Sequence, residues 1–191
     1  MRPTPAEAGR ARPGLTARDV TALSLAIALV FVLQIAMAPL PNLEPVTLLF
    51  VLYTLHFGRK TLLIVYAFAL LEGVYYGFHL WWVMYLYVWT ILYLIVRLLS
   101  RAKRHGALFW AVTAGLYGLA FGFLCCFPYV ALGGIEMALS WWIAGIPFDI
   151  PHGIGNFVIM LVLFHPLDRV MTLLRLGEPG SRPAPPATPK E

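Results

Sequence analysis

The sequence predicts an all-α integral membrane protein of six transmembrane helices with both termini cytoplasmic, and three observations predict it. Of 191 residues, 60% are hydrophobic and only 12% charged, with mean hydropathy +0.78; an ordinary soluble domain carries about twice that charge. The apolar residues gather into runs close to the roughly 20 residues that a helix needs to cross a hydrocarbon layer about 30 Å thick. All 14 Lys and Arg residues fall between alternate runs, where they mark one side of the membrane. A water-soluble globule is excluded, and so is a disordered chain, which requires low hydrophobicity and high net charge.

The runs follow in order. Residues 20–38 form the first; basic residues precede it, but its length and the lack of a small-residue cleavage site make it a span rather than a signal peptide. It ends at Pro39-Leu40-Pro41-Asn42. The second, 45–57, is short and begins with proline, which suits a helix start. Runs 61–78, 80–99 and 107–127 follow, separated by Gly58-Arg59-Lys60, by a tight turn near His79 and by residues 100–106. The sixth is 151–167. Residues 129–146 are apolar but broken by Gly133-Gly134 and carry Glu136, and orientation decides their role. With six spans the inside holds Arg2, Arg10, Arg12, Arg18, Arg59, Lys60, Arg97, Arg101, Lys103, Arg104, Arg169, Arg175, Arg182 and Lys190, and the outside holds no basic residue. A seventh span would move the last four outside, so 129–146 is expected to be an outer loop with a partly buried helix. The net charge of +5 is then a topological signal, and no nucleic-acid partner is implied.

Around a membrane domain at 18–170, residues 1–17 and 171–191 are expected to be mobile cytoplasmic tails, the latter rich in Pro and Ala. The adjacent Cys125 and Cys126 cannot build a disulfide framework or a four-ligand metal site.

Ionisable groups at membrane depth are costly and therefore candidates for function. Glu72, Tyr76 and His79 are spaced to share one face of the third run, as a ligand wall or, for Glu72, as a bond to a neighbouring helix. Asp149, His152 and Asn156 share a face at the start of the sixth. There Asp149 is either a ligand contact or a helix cap, and His152 and Asn156 lean towards a ligand. Trp82, Tyr85 and Trp89 form a stripe able to stack on a flat ligand, although most membrane Trp and Tyr simply line the interface. An Asp-His pair without a placed nucleophile argues against catalysis. Metal binding by Glu72, His79 and His152 lacks a zinc-site spacing, so no metal and no cofactor is expected. Ala22-x-x-x-Ala26 and the glycines of the fifth run are patterns that permit close helix approach.

Two stretches carry a resemblance. Pro41-Asn42-Leu43-Glu44-Pro45-Val46-Thr47, running into Phe57-Gly58-Arg59-Lys60, resembles the first outer loop and second helix of the substrate-binding S components of energy-coupling factor (ECF) transporters. The stretch from Ala144 to Phe157, containing Pro147-Phe148-Asp149-Ile150-Pro151-His152 and Gly155-Asn156, resembles the start of their last helix. The resemblance covers about residues 18–170. It implies a bacterial plasma-membrane protein, not an enzyme, that captures a vitamin or related micronutrient from outside. A transmembrane coupling subunit and two cytoplasmic ATPases would drive uptake, with Ala22 and Ala26 matching the family's docking pattern. No GxxxxGK[ST] is present, so ATP belongs to the partners. Asn42 and Glu44, from the first resembling loop, join the candidate substrate contacts. The outer half holds Glu44, Glu72, Glu136 and Asp149 but no Lys or Arg, which favours a neutral or cationic flat heterocycle as cargo. The alternatives are a small intramembrane enzyme acting on a lipid or isoprenoid, and a non-transporting scaffold.

Overall fold

The computed structural model describes residues 15–40, 42–101 and 105–174. The expected tails, and eight of the 14 basic residues, lie almost wholly outside the described residues. Within them the chain is all-helical: α1 (Ala17–Met37), α2 (Val46–Phe57), a 3₁₀ turn (Gly58–Lys60), α3 (Thr61–Tyr76), α4 (Leu80–Leu99), α5 (Ala107–Leu119), α6 (Phe121–Cys125) and α7 (Phe127–Leu173).

Four stretches are long and apolar enough to cross a membrane: α1, Val46–Tyr76 (α2 and α3 with the 3₁₀ turn between them), α4 and α7, with α5 a shorter apolar helix. Their outward faces carry large hydrophobic side chains, such as Leu25, Leu29 and Val32 on α1 and Leu108, Val112 and Leu116 on α5. A helix that is apolar outwards as well as inwards requires a lipid-like surround.

The element most enclosed by others is α2, which is apolar on every face. Val46 to Thr54 are all buried, and Phe50 packs edge-on against Phe68 of α3 and Trp89 of α4. At one end of the bundle, Thr16 and Asp19 form a reciprocal cap on α1, Lys60 pairs with Asp19 at 2.6 Å and Arg18 donates to the Leu174 carbonyl at 3.0 Å. His56 meets Asp168 at 2.8 Å, and Arg97 lines the same small cavity. Thus several of the described basic residues gather at this end. The other end carries Asn42, His79 and Asp149.

The largest departure from expectation is α7. Residues 129–146 are helical throughout except at Gly133 and Gly134, whose non-helical backbone (φ −151° and +76°) breaks the element in two. From there the helix runs on without starting afresh at Pro151. Pro147 and Pro151 stand one turn apart inside it, so the Ile143 and Pro147 carbonyls lose their intrahelical donors while the winding continues. The fifth run also divides, at Ala120, into α5 and α6, and the third stops at Gly77, where φ is +92°.

Against α7 lies α5, at backbone contact. A Cβ on Gly118 would sit 2.8 Å from the Gly153 Cα, and Gly115 faces the Gly153 carbonyl in the same way. Only glycine permits that approach. One turn further, Asp149 occupies the space in which a Gly122 side chain would stand, so this glycine seam sets the position of the aspartate.

Candidate functional site: a cavity between α1, α4, α6 and α7

A cavity of about 510 Å³ opens at the end of the bundle away from the clustered basic residues. Its walls are the last turns of α1 (Gln34, Met37), the loop before α2 (Asn42, Glu44), α4 (Trp81, Met84, Tyr85, Trp89), Phe121 and Cys125 of α6, and Trp141, Phe148, Asp149 and His152 of α7. The walls are mostly apolar and aromatic with a few polar groups, the usual make-up of a small-molecule site.

Glu44 is already engaged by its own chain. Its Oε2 accepts from the Val46 and Thr47 amides at the start of α2, and its Oε1 accepts from the Thr47 hydroxyl at 2.7 Å. His152 Nε2 lies 3.3 Å from the same Oε1, and its ring packs on Phe121. A carboxylate at the first amides of a helix satisfies donors that the helix cannot. Glu44 therefore ties α2 to α7.

Asp149 is engaged on one side only. Its Oδ1 accepts from the Gly122 amide at 2.9 Å, while Oδ2 is buried without a partner among the described residues. Trp89 Nε1 and Gln34 Oε1, on other walls of the cavity, are likewise buried and unpaired. Asp149 and Trp89 are 7% and 2% exposed. Three residues that line the cavity thus each bury one polar atom without a partner among the described residues, although buried polar groups are nearly always bonded.

The expected site residues therefore separate. Asn42, Glu44, Tyr85, Trp89, Asp149 and His152 share the cavity. Asn156 lies one turn below and donates to the Thr47 hydroxyl at 3.2 Å, pinning α7 to α2. Trp82 turns away from the cavity and gives its indole N–H to the Ala69 carbonyl of α3 at 2.7 Å. Glu72 is buried outside the cavity, with Oε1 unpaired, while Tyr76 and His79 are exposed. The shared face of Glu72, Tyr76 and His79 does not form a cavity wall. Ala26 is buried and its carbonyl accepts from the Tyr53 hydroxyl at 3.2 Å, whereas Ala22 is half-buried against the core.

Gln34, Trp141 and Cys125 line the cavity without having been read as site residues. Gln34 is the one side-chain amide in the first apolar run, a polar residue at membrane depth and so legible in principle. Among the described residues no group of three or more His, Cys, Asp or Glu is placed to hold a metal ion. No family model, curated protein or solved structure matches the chain.

Proposed function

We propose that this chain is the substrate-capture (S) subunit of an ECF-type importer in a bacterial plasma membrane. It takes a vitamin-like micronutrient from outside and hands it to a transmembrane coupling subunit driven by two ATPases. The observation that carries the reading is the cavity: it is large enough for a small heterocycle, aromatic-walled, and lined by a few polar residues, Gln34, Asn42, Glu44, Asp149 and His152. Its place fits the direction of transport. The basic residues at the opposite end mark that end as cytoplasmic, so the cavity faces out.

In this reading α1, α2, α3, α4, α5 with α6, and the C-terminal part of α7 make six crossings with both termini inside, and residues 127–146 lie along the outer face. Docking of the coupling subunit falls on the half-buried Ala22 and its exposed neighbour Leu25 more than on Ala26, which is closed against α2. The cargo is neutral or cationic, because no Lys or Arg lines the cavity.

Native mass spectrometry of the chain, released gently from detergent after co-expression with a coupling subunit and its ATPases, tests both halves. A retained small molecule together with the co-purified partners supports the reading. A chain that holds no small molecule and recruits none of those partners overturns it.

A further inference from the structure

Beyond the capture reading, and independent of it, we infer that the smaller cavity at the basic end of the bundle is a binding site for a phosphate group, with Arg97 as its anchor. This cavity, of about 290 Å³, lies where α2, α4 and α7 end and α5 begins. His56 and Arg97 line it from the last turns of α2 and α4, and Ser100 from the residue after α4. His105 stands just before α5, while Asp168 and Thr172 come from the end of α7. Most of these groups are engaged with their own chain. His56 Nε2 donates to Asp168 Oδ1 at 2.8 Å, His105 Nε2 to the Leu99 carbonyl at 3.1 Å, and the Thr172 hydroxyl to the Asp168 carbonyl at 2.8 Å.

Arg97 is the exception. It is half-buried, and its guanidinium makes no hydrogen bond or ion pair among the described residues. Its Nη1 lies 4.0 Å from where a Gly58 Cβ would stand, so the side chain extends from α4 towards the end of α2 that carries His56. The Ser100 hydroxyl meets the Arg97 carbonyl only at 3.4 Å, long for such a bond, and can turn to a better acceptor. A planar fork of N–H donors matches the oxygens of a phosphate or a carboxylate. Depth selects between them, because a basic pocket between helix ends at the membrane surface stands level with lipid phosphates. Leu98, Leu108 and Leu173, on the same ends of α4, α5 and α7, are exposed and apolar, which favours a lipid over a free phosphate as the carrier. Asp168 is the one carboxylate lining the cavity, and the carbonyl ends of α2, α4 and α7 add negative potential. Both oppose an anion, so binding depends on Arg97.

The test counts, by native mass spectrometry, the lipids that the full-length chain retains from nanodiscs of equimolar phosphatidylglycerol and phosphatidylcholine with matched acyl chains. Phosphatidylglycerol, whose phosphate charge is uncompensated, should be retained about fivefold over phosphatidylcholine, in which an ammonium accompanies the phosphate. Arg97→Gln should bring that ratio to about one, whereas Arg101→Gln, at an exposed position outside the cavity, should leave it unchanged. Asp168→Asn keeps an oxygen for His56 while removing the opposing charge, and should raise the ratio, a gain that a misfolded chain cannot show. Glycerol 3-phosphate added to nanodiscs of phosphatidylcholine alone separates the sources: Arg97-dependent retention assigns the site to a free phosphate, and enrichment of phosphatidylglycerol without it assigns the site to a lipid. Equal retention of the two lipids with no glycerol phosphate held, an equal loss on substituting Arg97 and Arg101, or a lower ratio in Asp168→Asn overturns the inference.

Discussion

Thr47 shows how closely structure and site are joined at the level of single side chains. Its hydroxyl donates to Glu44 and accepts from Asn156, so one oxygen connects the cap of α2 to α7 just below the cavity. Thr47→Val keeps the shape and removes both bonds, leaving the buried Asn156 amide without its acceptor and Glu44 with one donor fewer. A loss of about 1–3 kcal/mol is expected, read as a lower unfolding midpoint in detergent titration, with Thr47→Ser close to the parent. Glu72 makes the contrast. It is buried yet stands outside the cavity, so Glu72→Gln should change ligand affinity by less than about twofold, under about 0.4 kcal/mol, while Asp149→Asn removes tenfold or more. Calorimetry on the two variants side by side decides between the residues.

Among elements, the junction of α5 with α7 governs the site. A side chain on Gly118 would meet the Gly153 backbone, which cannot rotate out of the way, so Gly118→Val must push the helices apart and shift Asp149 with them. Overpacking of this kind costs about 1–3 kcal/mol, and ligand binding should fall with it. Gly145→Ala has open space around its new methyl group and should be neutral or slightly stabilising in the same thermal assay, because alanine is the better helix former.

What could be read in advance follows from which forces act locally. Helices α2 and α4 were legible to their ends, because Pro45, Gly58 and His79 punctuate a strongly apolar sequence. The continuity of α7 was not: the sixth run was expected to start at Pro151, whereas the helix runs on through Pro147 and Pro151, packed against α5 and α6. For the cavity, Asp149 and His152 could be read as ionisable groups in apolar surroundings, while Asn42 and Glu44 entered through the resemblance of their loop. That Glu72 and Asn156 would point elsewhere depends on how the helices rotate about their axes, which spacing along one helix does not determine.

For the molecule as a whole, the distribution of charge predicts an orientation that can be measured. Gly134 lies in open space in the break of α7, and Gly106, before α5, is equally uncrowded; both tolerate cysteine sterically, although Gly134, at φ +76°, carries some backbone strain. In a background with Cys125 and Cys126 replaced by serine, a cysteine at 134 should react with an impermeant maleimide added to intact cells, and one at 106 only after lysis. The opposite labelling would place the cavity on the cytoplasmic side and remove the capture reading.

The break at Gly133-Gly134 and the prolines at 147 and 151 bracket the part of α7 that carries Trp141 and Gly145. On either side of that wall the helical hydrogen-bond ladder is already interrupted, so it can swing aside while sacrificing fewer backbone bonds than an unbroken helical wall would. The consequence belongs to time rather than to affinity. Tyr129 stacks on Trp141 at 4.8 Å across the break, and Trp141→Ala should shorten the residence time of a bound ligand in stopped-flow measurements by more than it weakens the equilibrium, with the association rate rising in step.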